Sequence, residues 1–255
     1  MSDFTGRNIV VTGAGTGIGR AIALQLSGAG AKVGLLGRRK ALLDETAAEA
    51  KGETHVASVD VRDAEAQQQA FEEVAGHFGP LHALVANAGL GGANEPGPDD
   101  RWDEVVRTNL DGTYHSIRAF ERQRAPGPEL RHVVMISSCL ARFGVPGYTA
   151  YCASKAALLG MARALALEWA PEGVLVNAIC PGWVNTEMAR ASMQAIADGT
   201  GQSFEEARDG AVEMVPLQRM SEPQEIAELV AFLLGPGGAS FTGQALDPNG
   251  GSWMG

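Results

Sequence analysis

The sequence predicts an α/β protein with one doubly wound, seven-stranded parallel sheet and helices on both faces. Short apolar runs alternate along the 255 residues with longer segments of helical periodicity, the pattern of a parallel sheet covered on both sides. Almost the whole chain follows this alternation. We therefore expect a single domain that spans residues 1–255.

Seven segments are predicted to be strands because each is a short run rich in Val, Ile or Ala. They are residues 8–12, 32–36, 55–59, 83–86, 132–137, 174–179 and 244–246. Six helices are predicted at residues 17–27, 39–50, 64–77, 102–122, 150–169 and 223–234. Pro223 suits the first turn of the last helix, with Ser221 as its cap.

The stretch 185–216 interrupts the alternation between the sixth strand and the last helix. It is rich in Met, Ala, Asp and Gly. Long connections inside compact domains tend to be functional or mobile, so we interpret this stretch as a helical lid. A helical insertion that only packs on the surface is the alternative.

Composition and charge exclude several classes of protein. Hydrophobic residues make up 45% of the chain and charged residues 20%, as in an ordinary globular domain, and no apolar run approaches the length of a membrane span. The 30 acidic residues outnumber the 20 basic ones, which disfavours general attraction to nucleic acid or anionic lipid. Without a signal-like N-terminus, and with three cysteines that lack CxxC spacing, we expect a cytoplasmic protein with reduced thiols.

A glycine-rich turn directly follows the first strand and precedes a helix. Glycines at such a place let the backbone approach a diphosphate, while the helix N-terminus stabilises the phosphate charge. The sequence thus predicts a Rossmann-type dinucleotide site, although a purely structural turn is the alternative because the glycine spacing differs from the common fingerprint. The turn comprises Gly13, Gly15, Thr16, Gly17, Ile18 and Gly19.

The end of the second strand indicates which dinucleotide binds. An acidic residue here would bind the ribose of NAD, but the chain has Arg38 and Arg39, whose guanidinium groups suit a 2′-phosphate. We therefore favour NADP(H) over NAD(H), with a solvated helix start as the alternative role of the two arginines. Asp60, at the end of the third strand, is predicted either to accept a hydrogen bond from adenine or to cap the next helix.

Tyr151 and Lys155 carry the strongest chemical signal. They lie four residues apart on a predicted helix and so share one face. A nearby ammonium favours the phenolate and lowers the pKa of the tyrosine, which could then exchange a proton with substrate. Ser138, at the end of the buried fifth strand, could bond a substrate carbonyl.

The segment from Ser138 to Lys155 and the glycine turn resemble the signatures of the short-chain dehydrogenase/reductase family. Further matches occur in order at Asn87-Ala88-Gly89, at Asn109 and at Pro181-Gly182-Trp183-Val184-Asn185-Thr186, so the resemblance covers nearly the whole chain. The layout is similar to that of 3-oxoacyl carrier-protein reductases and aromatic polyketide ketoreductases.

The resemblance implies hydride transfer between a nicotinamide and a carbonyl or carbinol carbon, with Tyr151 as acid or base. Ser138 would polarise the substrate oxygen, Lys155 would lower the tyrosine pKa and bond the ribose, and Asn109 would hold a water that links Lys155 to solvent. Thr186 and the Val184 backbone would fix the carboxamide. Further predicted cofactor contacts are Val61, Asn87, Ala88, Gly89, Pro181 and Gly182.

A mostly apolar substrate pocket is predicted from residues in the loops beyond the strand ends. They are Leu90, Gly91, Gly92, Cys139, Leu140, Phe143, Tyr148, Trp183 and Met188. No charge stands out as an anchor for a substrate carboxylate, although Arg142 and Arg190 could become one, so an apolar ketone or the oxo group of an acyl thioester fits better. The five histidines show no metal-ligand spacing, so we expect no metal site.

We expect an NADPH-dependent reductase of a ketone or a 3-oxoacyl thioester. The alternatives are an NAD-dependent dehydrogenase of a secondary alcohol or hydroxyacyl group and, more remotely, a non-catalytic dinucleotide sensor. The resemblance further implies a homotetramer or homodimer, with residues 247–255 at an interface, and no nucleic-acid or membrane partner.

Overall fold

A single parallel sheet organises the computed structural model, which describes residues 3–255. The strand order is β3-β2-β1-β4-β5-β6-β7, and every pairing is parallel. This confirms the predicted doubly wound sheet, although individual ends shift by one residue. The strands are β1 Asn8–Thr12, β2 Lys32–Gly37, β3 Thr54–Ser58, β4 Ala83–Ala86, β5 Arg131–Ile136, β6 Val174–Ile179 and β7 Ala245–Leu246.

Helices cover both faces of the sheet, as predicted. On one face, the helices that follow β3 and β4 pack against the sheet through Phe71 and Phe120, which are fully buried. On the other, Ile22 and Val230 are fully buried between the first and last long helices and the sheet. The helices are α1 Gly17–Gly28, α2 Lys40–Glu49, α3 Ala64–Phe78, α4 Trp102–Val106, α5 Gly112–Gln123, α6 Thr149–Trp169, α7 Glu187–Thr200, α8 Phe204–Glu213 and α9 Pro223–Leu234.

The helix predicted at 102–122 is not continuous. A π-helical turn at Arg107–Asp111 separates α4 from α5. Such a turn inserts one extra residue into a helix, and the apolar periodicity of the flanking helices does not reveal it. The π-helical turn contains Asn109, so it affects the orientation of that side chain.

The predicted cap of α9 is also wrong. Glu222, not Ser221, occupies the cap position, and the backbone N–H of Glu222 donates to the Glu225 carboxylate at 2.7 Å. Arg219 binds both oxygens of Glu225, at 2.7 Å each, and this ion pair lowers the pKa of Glu225 to about 2. Two acidic residues therefore cap the helix where a hydroxyl was expected, since carboxylates also suit a helix N-terminus.

The stretch 185–216 folds as two helices, α7 and α8, which pack on each other. Its two ends are joined: the backbone N–H of Asn185 donates to the Ser221 carbonyl, and that of Ser221 donates to the Trp183 carbonyl, each at 2.9 Å. The stretch is thus a helical excursion that leaves and rejoins the domain at one place. Within residues 3–255, no helix combines the length and apolar character that a membrane crossing requires.

The central strands carry the stability of the fold. Met135 in β5 is fully buried, whereas Met214, just after α8, is 82% exposed. We expect Met135→Ala to lower the free energy of unfolding by about 2–5 kcal/mol, because it removes buried apolar volume and leaves a cavity. Met214→Ala should change it by less than about 0.5 kcal/mol. Urea unfolding at one fixed protein concentration measures both; equal losses would contradict the assignment of β5 to the core.

Candidate active site

The glycine turn after β1 forms the floor of a cleft at the carboxyl edge of the sheet. Gly13 and Gly17 have φ values of +68° and +52°, which residues with a Cβ rarely adopt. A Cβ on Gly19 would overlap the carbonyl oxygen of Gly13, so α1 can pack this close to the turn only with glycine there. Thr16 caps α1 without a side-chain bond to the helix, which leaves the first-turn N–H groups facing the cleft.

Asn87 ties this turn to the neighbouring strand β4. Its side-chain Nδ2 donates to the carbonyl oxygens of Thr12 and Gly13, at 3.0 and 3.3 Å. The Thr12 hydroxyl accepts in return from the backbone N–H groups of Asn87 and Ala88. Asn87 therefore supports the glycine turn through a reciprocal set of bonds.

The cleft has a volume of about 450 Å³ and is lined by most of the predicted cofactor residues. The predicted residues that line it are Gly13, Gly15, Thr16, Gly17, Ile18, Arg38, Arg39, Val61, Asn87, Ala88, Gly89 and Thr186. Those that do not are Gly19, Asp60, Tyr151, Lys155, Pro181, Gly182 and Val184. Residues that the sequence analysis did not assign to the cofactor also line it, namely Gly37, Leu42, Leu43, Val59, Leu90, Gly91, Thr108, Glu187, Met188 and Ala191.

Some of these additional residues were recognisable in principle. Val59 follows the end of β3, and Thr108 directly precedes Asn109. Leu42 and Leu43 lie on the first turns of α2, but the weakly amphipathic sequence of that helix does not indicate which side faces a ligand.

Pro181 and Gly182, which were predicted to contact the cofactor, instead contact other parts of the chain. The Pro181 carbonyl accepts from the backbone N–H of Cys139, and Gly182 lies against Asn249.

Arg38 and Arg39 stand at one end of the cleft with their charges uncompensated. Within residues 3–255, neither forms an ion pair. Arg39 donates only to the Thr16 hydroxyl, at 3.3 Å. These free guanidinium groups beside a glycine turn and a helix N-terminus fit a dinucleotide with an extra phosphate.

Asp60 does not cap the helix that follows β3. Both of its carboxylate oxygens accept from Arg62, at distances between 2.6 and 3.1 Å, and these bonds lower the pKa of Asp60. The cap of α3 is Asp63, which accepts from the N–H groups of Glu65 and Ala66. The helix-cap alternative for Asp60 is therefore wrong, because the chain makes one further turn before the helix begins.

Ser138, Tyr151 and Lys155 converge where β5 ends against α6. Ser138 and Lys155 are buried, at 8% and 5% exposure, and Tyr151 is partly buried. The Lys155 Nζ lies 5.8 Å from the centre of the Tyr151 ring and donates to the Ile136 carbonyl at 2.8 Å. The Ser137 hydroxyl also donates to the Lys155 carbonyl, at 2.8 Å, so β5 holds the lysine at both ends.

Burial dominates the ionisation of this group. It raises the pKa of Tyr151 to about 12, opposed by the hydroxyl of Ser138, and it lowers the pKa of Lys155 to about 8. The pKa of Tyr151 is thus raised where a lowered one was expected, because desolvation of the phenolate outweighs the hydrogen bond from Ser138. At neutral pH the phenol is protonated and can act as a proton donor.

The π-helical turn brings Asn109 against Lys155. Its amide donates to the Leu90 carbonyl and the Ser154 hydroxyl, at 2.9 and 3.1 Å, and accepts from the Leu90 N–H at 2.7 Å. A Cβ on Gly89 would lie 3.1 Å from the Asn109 Oδ1 and 3.3 Å from the Lys155 Nζ. Glycine at this position therefore lets the amide and the ammonium approach the same point.

Of the nine predicted substrate residues, Leu90, Gly91 and Met188 line the cleft and the other six do not. Gly91 lies against Met188 of α7, while Phe143 is exposed and Cys139 is buried. Leu140, Tyr148 and Trp183 are partly buried, as is Gly92. Burial raises the pKa of the Cys139 thiol, so it is a poor nucleophile.

Neither candidate carboxylate anchor is free. Arg142 donates to both oxygens of Asp247, at 3.1 and 2.8 Å, and stacks on Trp253. Arg190 donates to Asn185 at 2.9 Å. The interpretation of Arg142 as an anchor is wrong because the C-terminal segment already supplies its carboxylate. Among the described residues, no group of three His, Cys, Asp or Glu side chains could hold a metal ion.

Comparison with known proteins identifies the family. A family model described as enoyl-(acyl carrier protein) reductase matches residues 13–252. The chain belongs to the short-chain dehydrogenase/reductase family. It is accordingly an NAD(P)-dependent oxidoreductase, and the predicted family membership is confirmed.

Several members of the family resemble the chain over almost their full length. An acetoacetyl-CoA reductase of Shinella zoogloeoides is 35% identical over 97% of this chain and 99% of its own. The 3-oxoacyl-(acyl-carrier-protein) reductase FabG of Escherichia coli K12 is 34% identical over 99% of each chain. The crystal structure of a point variant of actinorhodin polyketide ketoreductase with NADPH superimposes with a TM-score of 0.89, at 34% identity and 99% coverage of each chain.

The buried ammonium of Lys155 predicts a pH dependence of stability. Its pKa is about 8 in the folded protein against 10.5 as the ordinary value, so the unfolded state binds more protons between these pH values. Stability should therefore rise with pH through this window. We expect cofactor-free wild-type protein to gain about 2–3 kcal/mol between pH 7 and 10 relative to Lys155→Met.

Urea unfolding of both proteins at pH 7 and pH 10 measures this difference. Tyr151, which titrates above this range, is common to both proteins. A rise of the same size in Lys155→Met would assign the effect to another group.

Proposed function

We propose that the protein is an NADPH-dependent reductase that converts a ketone or a 3-oxoacyl thioester into a secondary alcohol. The observation that carries this proposal is the convergence of Tyr151, Ser138 and Lys155 just beyond β5, together with a cleft that ends at two arginines without ion pairs among the described residues. The relatives named above reduce acetoacetyl-CoA and 3-oxoacyl groups, according to their names, and this supports the same substrate class here.

The proposed mechanism uses the chain's own groups for the proton and the bound dinucleotide for the hydride. Reduced nicotinamide supplies a hydride to the carbonyl carbon when it is bound. The Ser138 hydroxyl donates a hydrogen bond to the carbonyl oxygen, and the Tyr151 hydroxyl transfers its proton to that oxygen, which completes the alcohol. Lys155 stabilises the resulting phenolate until solvent returns a proton, with Asn109 beside its Nζ.

The proposed cofactor contacts follow the layout of the cleft. The N-terminus of α1 and the glycine turn would hold the diphosphate, and Arg38 and Arg39 would hold the 2′-phosphate. Thr186, whose hydroxyl donates to the Val184 carbonyl at 3.2 Å, would contact the carboxamide. The excursion 185–216 would act as the lid, since Thr186 and Met188 at its start both line the cleft.

We also propose a homodimer or homotetramer in the cytoplasm. Leu167 on α6 is 82% exposed and Tyr114 on α5 is 43% exposed, so these two helices present apolar surface that another copy could cover. The three cysteines are free thiols, in keeping with a reducing compartment.

Removal of the phenol hydroxyl tests the proton donor. We expect Tyr151→Phe to bind NADPH nearly as well as wild type but to lose turnover by about 100-fold or more, because the alkoxide is left without its proton source. Reduction of acetoacetyl thioesters and small ketones, followed by NADPH absorbance, measures this. The matched variant Tyr114→Phe should keep its activity, and an active Tyr151→Phe would remove Tyr151 from the mechanism.

Reversal of charge at Arg38 tests the choice of dinucleotide. We expect Arg38→Asp to weaken NADPH binding by at least about tenfold and NADH binding much less, because a carboxylate repels the 2′-phosphate. Fluorescence titration gives the dissociation constants. Lys51→Asp makes the same charge change at an exposed position and controls for net charge. Equal weakening of both dinucleotides by Arg38→Asp would contradict the assignment.

A further inference from the structure

The helix that carries Tyr151 is not capped by its own preceding residue. Tyr148 occupies the cap position of α6 and makes no side-chain bond to the helix. The acceptor comes instead from Asn94, in the loop after β4, whose Oδ1 accepts from the backbone N–H of Ala150 at 2.9 Å. Asn94 thus supplies a helix cap from 56 residues away in sequence.

Asn94 is itself held firmly. It is only 8% exposed, and its backbone N–H donates to the Gly147 carbonyl at 2.7 Å. Its Nδ2 donates to Asp100 at 3.2 Å, and the same Asp100 oxygen accepts from the N–H of Trp102, the first residue of α4. These contacts fix which end of the amide faces α6, because the carboxylate can only accept.

We propose that Asn94 is a positioning residue for Tyr151: by capping α6 at the residue directly before the tyrosine, it holds the phenol in place for proton transfer. The proposal rests on the proposed reductase function. Asn94 does not line the cleft, and its bond to α6 is the route by which we expect it to act.

The other catalytic groups do not depend on this cap. Lys155 lies one turn further along α6 and is anchored to β5 through Ile136 and Ser137. Ser138 lies just after β5, and Asn94 is not among the residues that line the dinucleotide cleft. Loss of the cap should therefore affect proton transfer by Tyr151 while cofactor binding is preserved.

The matched comparison is Asn94→Ala against Asp63→Ala. Both remove a side-chain cap, at α6 and at α3 respectively, and Asp63 does not line the cleft. We expect Asn94→Ala to lower kcat by about 10- to 100-fold with an unchanged NADPH dissociation constant, because small misplacements of a reacting group are costly. Asp63→Ala should leave kcat unchanged.

Hydrogen exchange supplies a readout that does not depend on turnover. Asn94→Ala should accelerate amide exchange by about fivefold in a peptide covering 149–155 and leave a peptide covering 64–67 unchanged. Asp63→Ala should do the reverse. Unchanged exchange in α6 would overturn the proposal, as would faster exchange in α6 with an unaltered kcat.

A double variant tests the geometry directly. Asn94→Asp keeps an acceptor for Ala150 but places two carboxylates together, so kcat should fall. Asn94→Asp combined with Asp100→Asn exchanges amide and carboxylate and restores both bonds, and kcat should recover most of the loss. Failure of the double variant to exceed Asn94→Asp would overturn the proposal.

The two proposals can fail separately. Wild-type protein that reduces none of the ketones or thioesters would contradict the proposed function. The exchange comparison would still support or overturn the placement of α6 by Asn94, because it is measured without substrate.

Discussion

The bonds from Asn87 to the carbonyls of Thr12 and Gly13 hold the structure together where its cleft opens. They join β1 to its neighbour β4. The helices that follow these two strands lie on opposite faces of the sheet. A crevice forms where a doubly wound sheet divides in this way, and ligands bind there. The glycine turn and the loop after β4 face each other across this crevice, and their separation is fixed by these bonds, by those to the Thr12 hydroxyl and by the pairing of β1 with β4.

The sequence was informative wherever neighbouring residues decide the structure. Local sequence pattern determines the strands, the glycine turn and the pairing of Tyr151 with Lys155. The structure shows each of them where it was predicted. Contacts between distant residues were not predictable: Arg142 binds Asp247, 105 residues away, and Asn94 caps a helix in another part of the chain. The π-helical turn was missed because a one-residue insertion leaves the apolar pattern on both sides intact.

The electrostatics of the site follow from burial as much as from charge. The ammonium of Lys155 and the phenol of Tyr151 lie side by side at the end of β5. Desolvation lowers the pKa of Lys155 and raises that of Tyr151, so it disfavours the charged form of both. The fold supports this unfavourable placement through bonds from strand β5 to both ends of Lys155. The buried ammonium of Lys155 therefore lowers the stability of the folded protein at the site of the proposed proton transfer. Such local destabilisation is typical of functional sites.

The joined ends of the excursion between Trp183 and Ser221 make it a module. The two backbone bonds close the base of the excursion. They hold the end of β6 next to the start of α9 regardless of the length of chain between them. The entropy of closing such a loop grows only slowly with its length. Insertion, deletion or exchange of α8 and of the part of α7 beyond Ala191 can therefore alter the excursion, while Thr186, Met188 and the glycine turn that line the cleft are retained.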